Sequence, residues 1–193
     1  VIVTSSAGVR RWDPLTRRTV WERMDGIAVD PIVLDDKTMA IPRVPGIEIV
    51  DVDTGQVKQT LPTGGQKFQG LMGRDRGNRW LGAPVFGGAV ALYDLSTLSL
   101  VTIIPTKLVD NKPLISRDGQ RLVVAAVVSD TKTRIYITDR SGAVRKELCG
   151  DCRISSYLGE NILIVEMADR LPAEIKIVDW EGRVKRQITP TVT

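Results

Sequence analysis

One short phrase recurs five times along this 193-residue chain and constrains its fold more than any other feature. Each copy has two or three residues of alternating apolar character, then an aspartate, a polar turn and a second apolar run. Copies follow one another at intervals of about 40 residues, a length typical of repeats that each form one supersecondary unit. The five aspartates are Asp13, Asp51, Asp94, Asp139 and Asp179.

The interval between Lys112 and Leu148 shows what one repeat contains. A tight turn with glycine at 117–120 follows a short apolar segment. The β-branched run at 122–128 is typical of a strand buried on both faces. Alternating residues then lead to the aspartate, a turn and an outer strand, and no segment has helical periodicity. The chain is therefore predicted to be an all-β β-propeller with about five four-stranded antiparallel blades.

The repeats run approximately over residues 1–24, 25–62, 63–105, 106–148 and 149–193, as a single propeller domain or propeller segment. The first repeat is predicted to be incomplete, because residues 1–6 resemble a second strand and no inner strand precedes them. The chain is thus either a five-bladed piece of a larger ring, which we favour, or a ring that is closed by residues from outside this chain. We expect a strand from a partner or from the rest of the parent protein to cover the open edge.

Two hairpin segments resemble bacterial YVTN-type propeller repeats. They are residues 116–125, SRDGQRLVVA, and residues 49–57, IVDVDTGQV. Residues 5–13 are similar to the end of a tryptophan–aspartate repeat, although that dipeptide occurs once and no Gly-His pair is present, which favours the bacterial type. The resemblance covers nearly the whole chain, but it implies an architecture that many unrelated functions share.

Charge and composition exclude several kinds of site. The 27 basic and 23 acidic residues give a net charge of +4 and are interspersed, so we expect no nucleic-acid partner. The densest basic cluster, at residues 10–18, is interpreted as a solvated face rather than an anion site. Histidine is absent, which excludes catalytic triads and histidine-ligated metals. No apolar run approaches about 18 residues, so no membrane span is predicted.

The only cysteines, Cys149 and Cys152, form a Cys-Gly-Asp-Cys motif. A disulfide in a turn, a pair of reduced structural thiols, half of a zinc site and a redox pair all fit this spacing. A disulfide is favoured, because no second pair completes a zinc site and no βαβ context supports a redox motif. We expect both residues in one exposed loop after the fourth outer strand.

The repeated aspartates and the tryptophans have structural interpretations. Each aspartate carboxylate is expected to cap the following turn, with a ligand role as the less favoured alternative. The four tryptophans occur at scattered repeat positions, which favours packing in the core or between blades over an aromatic cage.

Two kinds of loop lie at the same end of a propeller. One kind joins the fourth strand of a blade to the first strand of the next blade, and the other joins the two middle strands within a blade. Charged residues of these loops are predicted to converge on one rim as a candidate binding site, although ordinary solvated loops are the simpler interpretation. The candidates are Arg43, Lys67, Lys107, Asp110, Lys112, Asp130, Asp151, Arg153 and Asp169.

Three functions fit this sequence. We favour a non-enzymatic interaction or scaffold module whose partner is another protein or the remaining part of a larger propeller. An enzyme subunit of the lactonase or quinoprotein-dehydrogenase type is the first alternative, and a sugar-binding or cell-surface propeller is the second. No cofactor motif is visible, and no catalytic or metal-binding residue is assigned. A periplasmic or extracellular location is favoured by the bacterial hairpins and the cysteine turn.

Overall fold

The computed structural model describes residues 1–5, 8–24, 31–43, 45–106, 112–129, 132–168 and 171–190. These residues form strands β1–β19 and no helix. Sheet 1 comprises β1 (Ile2–Ser5), β2 (Gly8–Asp13) and β3 (Arg18–Arg23). Sheet 2 comprises β4 (Ile32–Val33), β5 (Thr38–Pro42), β6 (Gly46–Asp51) and β7 (Val57–Pro62).

The remaining three sheets have four strands each. Sheet 3 comprises β8 (Gly73–Arg74), β9 (Trp80–Val85), β10 (Ala89–Asp94) and β11 (Ser99–Ile104). Sheet 4 comprises β12 (Leu114–Ile115), β13 (Arg121–Ser129), β14 (Lys132–Asp139) and β15 (Val144–Cys149). Sheet 5 comprises β16 (Cys152–Leu158), β17 (Asn161–Ala168), β18 (Leu171–Val178) and β19 (Val184–Ile188).

Every sheet is an antiparallel meander in which sequential strands are spatial neighbours. All five sheets also share a register shift in the pairing of their last two strands, next to the repeated aspartate. These bulges lie at Arg11/Trp12, Ile49/Val50, Leu92/Tyr93, Ile137/Thr138 and Ile177/Val178. The predicted all-β architecture, with four four-stranded blades and a first blade of three described strands, is confirmed.

Four hydrophobic clusters form the core, and each lies between two successive sheets. Val9 packs with Met39, Ile41 and Val50 between sheets 1 and 2. The clusters between sheets 2 and 3, 3 and 4, and 4 and 5 are built in the same way. In sheet 3, alternate residues of a strand therefore enter different clusters, so the sheet is covered on both faces.

The repeated aspartates cap their hairpin turns, as predicted. Oδ1 of Asp51 accepts hydrogen bonds from the backbone N–H groups of Asp53 and Thr54, both at 2.9 Å. Oδ1 of Asp139 accepts from Ser141 N at 2.8 Å, and the equivalent aspartates in the other sheets bind their own turns. These carboxylates replace partners that the backbone loses where the ladder ends.

Trp21 and Trp80 join neighbouring sheets, which confirms the predicted packing role for these two tryptophans. The Trp21 indole N–H donates to Val52 O at 2.9 Å, and its ring covers Gly55 of sheet 2. The Trp80 indole N–H donates to Arg117 O at 3.2 Å, and its ring covers Gly119 of sheet 4. Both glycines have a positive φ, so each turn brings backbone directly under an aromatic ring.

The basic cluster at residues 10–18 contributes to an inter-sheet contact rather than only to a solvated face. Arg11 Nη1 donates to Val52 O at 3.1 Å and forms an ion pair with Asp53. The expectation of a purely solvated face is therefore wrong for Arg11. The alternation of residues along β2 turns this side chain towards sheet 2, a direction that charge alone does not reveal.

Candidate functional site

The predicted rim can be followed only in part. Lys107, Asp110, Asp130 and Asp169 lie outside the described residues, as does the Arg153 side chain. Lys67 is exposed, and its carbonyl accepts a hydrogen bond from Phe86 N at 2.9 Å. The Asp151 carbonyl accepts from Met167 N at 3.1 Å. Among the residues that can be placed, no hydrogen bond or ion pair joins Lys67, Lys112 and Asp151, and the convergence of the rim stays a prediction.

Arg43 differs from a solvated loop residue. Only 8% of its side chain is exposed, and its Nε lies 3.9 Å from Glu48 Oε2. Arg23, from the outer strand of sheet 1, reaches the same carboxylate with a 3.0 Å ion pair. Glu48 is thus placed between guanidinium groups of sheets 1 and 2, and removal of either arginine would leave its carboxylate less well compensated.

Lys112 lines a cavity of about 430 Å³ beside β1 of sheet 1 and β4 of sheet 2. The other lining residues are Ile2, Thr4, Pro31, Ile32, Val33, Leu71 and Met72. Among the described residues that line the cavity, Lys112 is the one charged side chain and most of the others are apolar.

Cys149 and Cys152 lie where sheet 4 passes into sheet 5. Their sulfur atoms are in bonding contact, and their Cα atoms are 6.1 Å apart, a separation that a disulfide spans. The expected exposed loop is wrong, because the two residues are only 4% and 0% exposed and belong to the core cluster between the sheets. A polar Cys-Gly-Asp-Cys sequence does not reveal that its ends are strand residues that face a neighbouring sheet.

Glu166 adds a third possible metal ligand to the cysteine pair. A carboxylate oxygen of Glu166 lies within 4.8 Å of the ligand atoms of Cys149 and Cys152. Lys176 Nζ, however, lies 2.9 Å from Glu166 Oε1 and 2.7 Å from Glu174 Oε2. These carboxylates raise the pKa of Lys176, and Lys176 lowers the pKa of Glu174. Glu166 thus already has a cationic partner where a metal would bind.

Sequence reasoning missed a second cavity, of about 720 Å³, between sheets 4 and 5. It lies at the end of the sheets that carries the aspartate turns, opposite the predicted rim. Four cations and two carboxylates line it, with Trp180 as its aromatic residue; the charged residues are Arg121, Arg140, Arg145, Lys146, Asp139 and Glu181. These residues come from separated segments, so no local motif in the sequence could have indicated the groove.

Within the described residues, no helix has the length and apolar character that crossing a membrane requires.

Comparison with known proteins identifies the architecture. No family model matches the chain, and no curated protein matches it. BamB from Moraxella catarrhalis is similar in structure, with a TM-score of 0.63 and 19% identity over 98% of this chain and 60% of that one. Hydrazine synthase from Kuenenia stuttgartiensis has a TM-score of 0.60 and 17% identity over 92% of this chain and 59% of that one. This chain thus spans about three fifths of either length, and the likeness to these β-propeller structures shows that it has a β-propeller fold.

Proposed function

We propose that residues 1–193 form a segment of a larger propeller that acts as a non-enzymatic interaction or scaffold module. A further four-stranded blade completes its core, and its loops are presented to a protein partner. The hairpins at 49–57 and 116–125 support a repeat of the bacterial YVTN type within this proposal.

One observation carries the proposal: sheet 5 has an apolar face whose residues belong to none of the core clusters that the described residues form. Ile162 and Ile164 on β17 point into the core cluster with sheet 4. Leu163 and Val165 alternate with them and therefore point the other way. They pair across the ladder with Ile177 and Ile175 of β18. We call Leu163, Val165, Ile175 and Ile177 the distal face of sheet 5; all four are only half-buried.

Interior sheets indicate what such a face packs against. Every residue of β9 in sheet 3 is buried, because sheets 2 and 4 cover its two faces. The distal face is likewise apolar, with one leucine and three β-branched residues, but it is only half-buried. A contiguous apolar surface on a sheet is typical of an interface, and each interface in this molecule is formed by another sheet. A further blade is therefore the occupant that fits it.

The inner edge of sheet 1 supports the same proposal. β1 pairs with β2 on one side, and the described residues supply no strand on its other side. A strand from the same partner or from the rest of the parent protein would satisfy these backbone groups by β-augmentation. The buried cysteine pair, as a proposed disulfide, supports a periplasmic or extracellular location, where disulfides persist.

The test changes the charge of the distal face. In a Val165→Lys, Ile177→Lys variant, two ammonium groups replace apolar side chains on the proposed interface. We expect residues 1–193 to self-associate as concentration rises, because the distal faces of two copies can cover each other, and to bind a hydrophobic dye. The variant is expected to be monomeric and to lose dye binding, as measured by light scattering and fluorescence.

The matched control is a Val101→Lys, Val144→Lys variant. These valines are 43% and 50% exposed on the outermost strands of sheets 3 and 4, away from the distal face. This control should associate and bind dye as the unmodified protein does. A monomeric unmodified protein that binds no dye, or equal effects of the two variants, contradicts the proposal.

A further inference from the structure

The groove between sheets 4 and 5 carries an inference about the partner, which rests on the proposed interaction function. We propose that this groove binds an acidic, extended polypeptide segment. It lies at the aspartate-turn end of the molecule, so it is separate from the predicted rim and from the distal face.

The two carboxylates in the groove are already engaged. Asp139 accepts hydrogen bonds from Ser141 N at 2.8 Å and Ala143 N at 3.2 Å, and its other oxygen accepts from Arg145 Nε at 2.6 Å. Glu181 forms ion pairs with Arg121 and with Arg183. These acidic groups are neutralised within the protein and present little repulsion to an incoming anion.

Two cations in the groove retain unused donors. Arg140 Nε donates to Gly119 O at 2.6 Å, and its guanidinium carbon lies 4.7 Å from the centre of the Trp80 ring. These contacts fix the plane of the guanidinium, while its two terminal nitrogens have no partner among the described residues. A guanidinium held in this way can bind a carboxylate through parallel hydrogen bonds.

Lys146 is the second such cation. The stem of this side chain packs on Gly182 of sheet 5, where an added Cβ would lie 2.6 Å from Lys146 Cγ. Its ammonium group has no ion-pair or hydrogen-bond partner in the described part of the chain. The apolar stem is thus packed between the sheets while the charged end is left for a ligand.

Trp180 supplies an apolar surface in the same groove. Its half-buried indole is braced by Tyr157, with ring centres 6.4 Å apart. The groove is largely open to solvent, whereas sites for small molecules usually enclose most of the ligand. An extended chain fits this shape, with its carboxylates on Arg140 and Lys146 and a side chain on Trp180. An acidic segment of a protein partner is therefore favoured over a small anion.

The test uses a fluorescein-labelled poly-glutamate peptide, with poly-lysine of equal length as the negative probe. We expect saturable binding by fluorescence anisotropy that weakens with salt, with no binding of poly-lysine. An Arg140→Glu, Lys146→Glu variant should bind poly-glutamate at least about tenfold more weakly, because two charge-assisted contacts are reversed. Free glutamate in excess should not displace the peptide if an extended chain is required.

The matched control is Arg18→Glu, Lys37→Glu, which changes net charge equally at exposed residues outside the groove. Equal weakening by the two variants, displacement by free glutamate, or absence of saturable binding overturns the inference. Circular dichroism of each variant establishes that it has folded. The Val165→Lys, Ile177→Lys variant should still bind the peptide, so failure at the groove and failure of the distal-face proposal are distinguishable.

Discussion

At the scale of single residues, the turn aspartates couple the stability of the fold to pH. The Ser141 hydroxyl and the Arg145 guanidinium favour the charged form of Asp139 and lower its pKa to about 2. At Asp179, partial burial raises the pKa, but hydrogen bonds from the Arg183 N–H and guanidinium outweigh it and also give a pKa of about 2. Both values lie below the ordinary 3.8 of an aspartate.

This depression fixes the sign of a pH effect. Above about pH 5, both carboxylates are ionised in folded and unfolded chains, and their contribution to stability is complete. As pH falls from about 4 to about 2, the unfolded chain takes up protons first, so the free energy of unfolding decreases. An Asp139→Asn, Asp179→Asn variant should lose on the order of 1 kcal/mol at neutral pH and show a flatter dependence below pH 4. Urea unfolding across this range measures both effects.

Asp36 provides the control for this pH prediction. It lies in an exposed turn, and its carboxylate has no hydrogen-bond or ion-pair partner among the described residues. Asp36→Asn should leave the free energy of unfolding at neutral pH unchanged. A double variant with the same slope as the unmodified protein between pH 4 and 2 would contradict the assigned role of the turn carboxylates.

Two glycines separate the effect of aromatic packing from that of backbone conformation. Gly119 has a φ of +68°, and an added Cβ would lie 2.5 Å from Trp80 Cε2. Gly159 has a φ of +61° and nothing within 4 Å of its added Cβ. Gly159→Ala should therefore cost only the left-handed conformation, about 1 kcal/mol. Gly119→Ala should cost about 1–3 kcal/mol more, because Trp80 must move.

Denaturant unfolding measures both alanine variants, and tryptophan emission reports any change at Trp80. If the two substitutions destabilise equally, the Trp80 ring does not pack on Gly119 as the structure indicates.

At the scale of elements, the cysteine pair joins the last strand of sheet 4 to the first of sheet 5. A disulfide between residues three apart in sequence closes a very short loop, for which chain entropy gives about 2 kcal/mol of stabilisation. Reductant should lower the free energy of unfolding by up to that amount, and it should have no effect on a Cys149→Ala, Cys152→Ala variant. Because both residues are buried, alkylation after reduction should be slow until the chain unfolds. Rapid alkylation without reductant would show free, accessible thiols instead.

The strand pattern was predictable because it is encoded locally. Turn glycines, the repeated aspartates and apolar alternation lie within each repeat, so the order and direction of the strands follow from sequence. The burial of Cys149, the proximity of Arg43 to Glu48 and the groove beside Trp180 depend on how one sheet packs on the next. Arg121 and Glu181, which meet in the groove, lie in different sheets. No short-range pattern predicts such pairs.

At the scale of the whole molecule, each sheet contacts mainly its neighbours in sequence, as the four separate core clusters show. Stability in such a linear array is approximately the sum of sheet stabilities and nearest-neighbour interfaces. Sheet 3 is covered on two faces, whereas the distal face of sheet 5 is half-buried and β19 is exposed along its whole length. The array should therefore open from sheet 5 before sheet 3.

Native-state hydrogen exchange measures this order of opening. Amide protection should be highest in β9 and β10 and lower in β17 and β18. This order is expected even though β17 and β18 are longer strands that pair with each other along their length. If a further blade covers the distal face, its binding should increase protection in sheet 5 by more than in sheet 3, because only sheet 5 gains an interface. The Val165→Lys, Ile177→Lys variant should remove this increase while leaving β9 and β10 protected. Uniform protection across all sheets would mean that the molecule opens as one unit. Equal gains in protection in sheets 3 and 5 would mean that the further blade does not bind at the distal face.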